Sequence, residues 1–182
     1  YSVANSPLIE RNAVHFTVET LRYERQNRSC EGVASTWLAD RVSDGSDVLM
    51  YRVAAPHFRL PATTATPILM IGPGTGIAPF RAFLQHREAQ GDPGQNWLFF
   101  GHQHKATDFL YRAELERYIQ TGALTKLSLA WSRDQAHKVY VQDRLREQGA
   151  EVWSWIQSGA SIYVCGDKLA MAPQVREVFV QI

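Results

Sequence analysis

The residues best suited to chemistry lie at the ends of short apolar runs. Ile68-Leu69-Met70-Ile71 leads into Gly72-Pro73-Gly74-Thr75-Gly76-Ile77, a glycine-rich turn between a strand and a helix. Such a turn lets backbone N–H groups approach a pyrophosphate, whose negative charge the helix dipole favours. The third glycine comes one residue too early for GxGxxG, and no GK[ST] follows, which disfavours a triphosphate site. A second set comprises Ser132 and Arg133, then Lys138 and Tyr140, with Gln142 beyond. A hydroxyl, a guanidinium, an ammonium and a phenol together suit a phosphate monoester. An NAD site is expected to offer a carboxylate to the ribose 2′-hydroxyl after its second strand. Here that position reads Gly101-His102-Gln103-His104-Lys105, without an acid, so NADP(H) is expected over NAD(H). Asp134 is close enough in sequence to pair with Arg133 instead.

A third set ends the run Ile162-Tyr163-Val164 with Cys165-Gly166-Asp167. A cysteine ending a buried strand reads first as a small hydrophobe. No histidine or acid is spaced to act as its base, so a nucleophile is disfavoured. A polarisable, non-titrating wall suits hydride transfer, which needs a ring held in place. Tyr1-Ser2 and Gly32-Val33-Ala34-Ser35 read first as capping and packing features. The second of these also suits a pyrophosphate at a helix N-terminus.

The elements that must position these residues fall into two parts. Through residue 61 the pattern is of short alternating runs: His15–Tyr23 and Asp47–Val53 are predicted strands, with a short helix over Ser35–Val42 capped by Ser35. So few strands cannot close a barrel, and the region is expected to be the end of a larger β domain. Ala62–Thr66 forms a small Thr-rich linker. From residue 67 to 182 apolar runs at 68–71, 97–100, 127–131 and 162–165 alternate with predicted helices at 78–90, 107–120, 141–158 (broken near Gly149) and from Ala170 onward. Continuous apolar strands separated by helices predict an α/β fold, a doubly wound parallel sheet with ligands at the carboxyl ends of its strands.

Composition narrows the function. With 45% hydrophobic and 20% charged residues over 182 positions, the chain is an ordinary globular one. No apolar run approaches the ~18 residues of a membrane helix. A net charge of +1 offers no basic field for nucleic acid. Cys30 and Cys165 lie too far apart in sequence for a disulfide framework or a zinc site, and suit a reducing compartment. His102 and His104 have no further ligands nearby, so no metal is expected. The chain opens on Tyr1 with neither methionine nor signal peptide, as a piece of a longer protein would.

Taken in order, GPGTGIAPFRAF, NWLFFGHQH, LAWSRDQ, KVYVQDRLREQG and IYVCGD make the chain resemble the diflavin reductases, in particular their sulfite reductase type. The microsomal cytochrome reductases and the reductase half of nitric oxide synthase are similar, and ferredoxin–NADP reductase more distantly so. The resemblance implies that residues 1–61 end an FAD-binding barrel. Tyr1 would stack on the flavin with Ser2 near its reactive nitrogen, and Thr17, Val18, Glu19 and Tyr23 would contact FAD. Gly32, Val33, Ala34 and Ser35 would hold its pyrophosphate. It implies an NADP(H) site in residues 67–182, formed by Gly72, Gly74, Thr75 and Gly76 together with Ser132, Arg133, Lys138, Val139, Tyr140, Val141 and Gln142. Cys165 and Asp167 would lie beside the nicotinamide, which makes Ser2 and Cys165 the expected hydride-transfer residues.

For the parent protein the resemblance implies hydride transfer from NADPH to FAD. Electrons would then pass through FMN, in an absent N-terminal domain, to a haem/iron–sulfur subunit that reduces sulfite to sulfide for cysteine synthesis in the cytoplasm. A single-flavin reductase without FMN and a nucleotide-binding module without catalysis are the alternatives. The departures are specific. The arginine two residues before the family's tyrosine and its terminal aromatic are not in the chain, and Gln174, preceded by Pro173, stands where the sulfite reductase type carries an acid.

Overall fold

The architecture follows from where apolar side chains can be buried. A computed structural model describes all 182 residues. Its central sheet is parallel and four-stranded: β3 (Ile68–Ile71), β4 (Asn96–His102), β5 (Lys126–Trp131) and β6 (Ser161–Val164), in the spatial order β5-β4-β3-β6. Successive side chains of a strand point to opposite faces, so a strand covered on both sides must be apolar throughout. Ile68 and Met70 of β3, with Leu98 and Phe100 of β4, face one cluster, completed by α2 (Ala78–Gln90) and α4 (Arg112–Thr121). Leu69, Ile71, Trp97 and Phe99 face the other, completed by α5 (Val141–Glu147), α6 (Gly149–Gln157) and α7 (Met171–Gln181). The doubly wound sheet is thus the one expected.

Several boundaries differ. The helix predicted over 107–120 is two, α3 (Lys105–Asp108) and α4, because Tyr111 takes a left-handed conformation at φ 57° between them. The stretch 141–158 breaks at Gln148, and the last helix starts at Met171 rather than Ala170.

The first 61 residues carry little regular structure. β1 (Arg22–Arg25) and β2 (Arg28–Glu31) form an antiparallel hairpin around Gln26 and Asn27, both at positive φ, as tight hairpin turns require. The predicted strand at 15–23 is reduced to its last residues plus one bridge, Val3 to Phe16. Asp47–Val53 is no strand at all: it has no neighbour to pair with, and Leu49 is wholly exposed. The helix α1 spans Val33–Asp40 with Gly32 as its N-cap. Ser35 is inside it and caps nothing; its hydroxyl accepts from Leu21 N at 3.1 Å and donates to Gly32 O at 3.3 Å. No helix is long and apolar enough to cross a membrane.

The segment between the two parts is tied down. Arg87, almost fully buried, donates to Thr66 O (3.1 Å) and Thr64 O (2.8 Å) and pairs with Asp92. Tyr163 donates to Arg59 O at 2.6 Å, and Phe58 packs among Phe80, Phe83 and Tyr163.

Leu98 sits fully buried in the middle of the sheet. Leu98→Ala should lower the unfolding free energy by about 2–5 kcal/mol in urea titration, the range for a buried leucine that leaves a cavity; a loss under 1 kcal/mol would contradict the two-sided core.

Candidate nucleotide site

The strand ends converge because the register is fixed. Ile71 pairs with both Phe99 and Val164, and Gly72 N donates to Phe99 O at 3.0 Å while Cys165 N donates to Ile71 O at 2.9 Å. Gly72 and Cys165 therefore stand level at the carboxyl edge. The turn after β3 is a short 3-10 helix, Gly74–Ile77, which runs directly into α2. Gly74 is left-handed at φ 56°, which explains a glycine there. Gly76 is required by proximity: a Cβ at that position would lie 2.1 Å from Cys165 O. Backbone thus touches backbone between the first and last tips.

Across these tips runs a cleft of about 530 Å³. Three strand spacings of ~4.8 Å separate its two ends, on the order of 14 Å. The β5 end carries Ser132, Arg133, Lys138, Tyr140 and Gln142; the β6 end carries Asp167; Gly74 and His102 line the stretch between. Ser132 N and Arg133 N continue the β5 ladder onto His102 O and Gln103 O at 2.9 and 3.0 Å. Val139 and Val141 are buried against the sheet and hold Lys138 and Tyr140 outward. Gln142 donates to Gln174 Oε1 at 2.6 Å, which joins α5 to α7 across the wall.

Electrostatics leave the β5 end cationic. Asp134 does not pair with Arg133. It accepts from Lys105 N at 2.8 Å and bonds to His104 at 2.9 Å, and those two bonds, the first above all, hold its carboxyl below the usual range. Neither Arg133 nor Lys138 makes an ion pair with any side chain. Two unneutralised cations beside a hydroxyl and a phenol can take a doubly charged phosphate. No group of three or more His, Cys, Asp or Glu side chains is placed to hold a metal.

At the other end Ser2 reaches Cys165. Burial pushes the Cys165 thiol up, and a hydrogen bond with the Ser2 side chain offsets part of that rise. The two residues expected to work together, 163 positions apart, thus lie near each other; Tyr1, next to Ser2, presents an exposed ring, 6.4 Å from Phe16.

The remaining residues named from sequence divide. Thr17 bonds Tyr111 Oη at 2.6 Å, and Glu19 lines the cleft. Val18 neighbours both. Tyr23 and Gly32–Ser35 lie away from the cleft, on the hairpin and α1. Gly72, Thr75 and Gly76 shape the turn from beneath, while Pro73 and Gly74 reach the cleft surface. Gln103 and Met171, which the sequence did not single out, also line the cleft, as does His102, which the sequence marked only as lacking metal-ligand neighbours. The position of His102 directly after the tip glycine of β4 was the available signal.

Residues 70–177 match the family model described as the oxidoreductase NAD-binding domain. The chain is 55% identical over all its 182 residues to a sulfite reductase [NADPH] flavoprotein alpha-component of Yersinia pestis bv. Antiqua (strain Antiqua). It is 56% identical to that of Serratia proteamaculans (strain 568) and 53% identical to that of Cronobacter sakazakii (strain ATCC BAA-894), each over the whole chain. It spans about 30% of the length of each of these relatives.

A thiol raised by burial should be slow to ionise. Alkylation of the Cys165 peptide by iodoacetamide, followed by mass spectrometry against pH, should show its midpoint above the ~8.5 of a free cysteine; a midpoint below 8 would mean an activated thiolate.

Proposed function

The chain belongs to the oxidoreductase NAD-binding domain family, and from that premise we propose that it forms the NADPH-oxidising part of a flavoprotein reductase of the NADPH–sulfite reductase type. Residues 67–182 are the NADP(H)-binding domain, and residues 1–61 are the end of the FAD-binding domain. The observation that carries the reading is the pair Arg133 and Lys138, free of acidic partners at the β5 end of the cleft, opposite Asp167 at the β6 end. The 2′-phosphate binds to Ser132, Arg133, Lys138 and Tyr140. The pyrophosphate lies along the Gly74 turn, and the nicotinamide reaches Cys165 and Asp167.

The flavin-side residues fit FAD. The α1 helix begins at Val33 with no side chain capping its first N–H groups, and Val33 and Ala34 are exposed there. Uncapped donors at a helix start suit a pyrophosphate. Tyr1, Ser2, Tyr23 and Gly32–Ser35 would hold the cofactor. FAD, when bound, supplies the acceptor for the hydride that NADPH gives up and hands its electrons on singly. The protein's own work is positional. Cys165 stays neutral and forms a polarisable wall, Ser2 holds the thiol's orientation, and the closed backbone contact at Gly76 keeps water from the gap between the tips.

In the whole protein the electrons pass through FMN to a haem/iron–sulfur subunit, which reduces sulfite to sulfide for cysteine synthesis in the cytoplasm. The relatives' name, sulfite reductase [NADPH] flavoprotein alpha-component, supports the NADPH and sulfite reductase parts of that assignment.

Charge-assisted bonds are worth ~1.5–3 kcal/mol each. Arg133→Ala and Lys138→Ala should therefore each raise the KM for NADPH about tenfold or more and leave that for NADH within about twofold, in steady-state reduction of an artificial acceptor; equal losses for both nucleotides would defeat the assignment.

A further inference from the structure

We infer that Arg81 is a positioning residue for hydride transfer: it clasps the segment bearing Ser2 and Thr17 onto the nucleotide domain and so sets Ser2 against Cys165. Arg81 lies on α2, one turn past the phosphate-binding turn, with its side chain only 15% exposed. Its Nε donates to Glu114 of α4 at 2.8 Å. Its Nη1 crosses to the N-terminal segment, donating to Ala4 O at 2.7 Å and lying 3.3 Å from His15 Nδ1. The planar guanidinium also covers the ring of Tyr111 at 4.8 Å, and the hydroxyl of Tyr111 bonds Thr17 at 2.6 Å. One cation thus grips the segment at two points that bracket it, two residues from Ser2 and two from Thr17.

The grip is rigid because Glu114 is itself fixed. Burial acts to raise its carboxyl, but bonds from Arg81, Tyr118 and Gln85 outweigh that and leave it below the usual range. Gln85 in turn accepts from Ser6 N at 2.9 Å. Lysine cannot replace this arrangement, since a point charge cannot direct bonds to Glu114 and Ala4 O while lying flat on Tyr111. A ring transferring hydride must be held near its attack geometry, and small misplacements far from the chemistry cost rate.

The inference rests on the hydride-transfer reading above, and its test separates the two. In the full-length holoprotein under anaerobic conditions, Arg81→Met should slow the NADPH reduction of the flavin at least tenfold in stopped flow. Its affinity for 2′,5′-ADP should stay within twofold of the parent protein. Tyr111→Phe, which removes only the bond to Thr17 and keeps the core filled, should slow the same step about threefold at unchanged affinity. Alkylation of the Cys165 peptide should be at least fivefold faster in Arg81→Met. Reduction rates within twofold of the parent for both variants, or losses matched by lost nucleotide affinity, would overturn the inference. If NADPH fails to reduce even the parent flavin, the functional reading falls, and an unchanged Cys165 labelling rate would then dismiss the clasp as well.

Discussion

Everything at the carboxyl edge depends on one contact without side chains: the approach of Gly76 to the carbonyl of Cys165, where even a methyl group would clash at 2.1 Å. Because β3 and β6 are neighbours in register, that contact brings the glycine-rich turn against Cys165. The turn can then enter α2 at once, and α2 delivers Arg81 to the N-terminal segment at Ala4. A bulkier residue at 76 would part the two tips, and the cleft would lose its floor.

The cleft is polarised along its length. Its β5 end holds two cations without acidic partners, and its β6 end holds Asp167, two residues beyond Cys165. A dinucleotide with an extra phosphate at one end and a reacting ring at the other matches this order. The separation is secured by Asp134, which is engaged by Lys105 N and His104 and so leaves Arg133 available. The same economy appears at Gln142, whose bond to Gln174 is between two neutral groups and leaves the cationic end undiminished.

Much of this was legible in the sequence, for physical reasons. The runs Ile68–Ile71 and Trp97–Phe100 could only be two-sided strands, and the structure sends their alternate residues into two separate cores. The glycine spacing, the Ser132–Gln142 set and Cys165 followed from strand-end logic. What failed was local pattern without a partner. Asp47–Val53 alternates like a strand, but alternation makes a strand only where another strand can pair with it. Ser35 looked like a cap because caps are defined by sequence position, whereas its hydroxyl is spent on Leu21. The Arg81–Glu114 network was invisible because its members are scattered from Ala4 to Tyr118 and only the packing of α2 on α4 unites them.

The central claim is that the cleft distinguishes a 2′-phosphate. Calorimetric titration of the 182-residue chain with 2′,5′-ADP and, separately, 5′-AMP tests it most directly. 2′,5′-ADP should bind more tightly by ~1.5–3 kcal/mol, the worth of charge-assisted bonds to Arg133 and Lys138. Equal affinities for the two ligands would contradict it and leave only a generic nucleotide cleft.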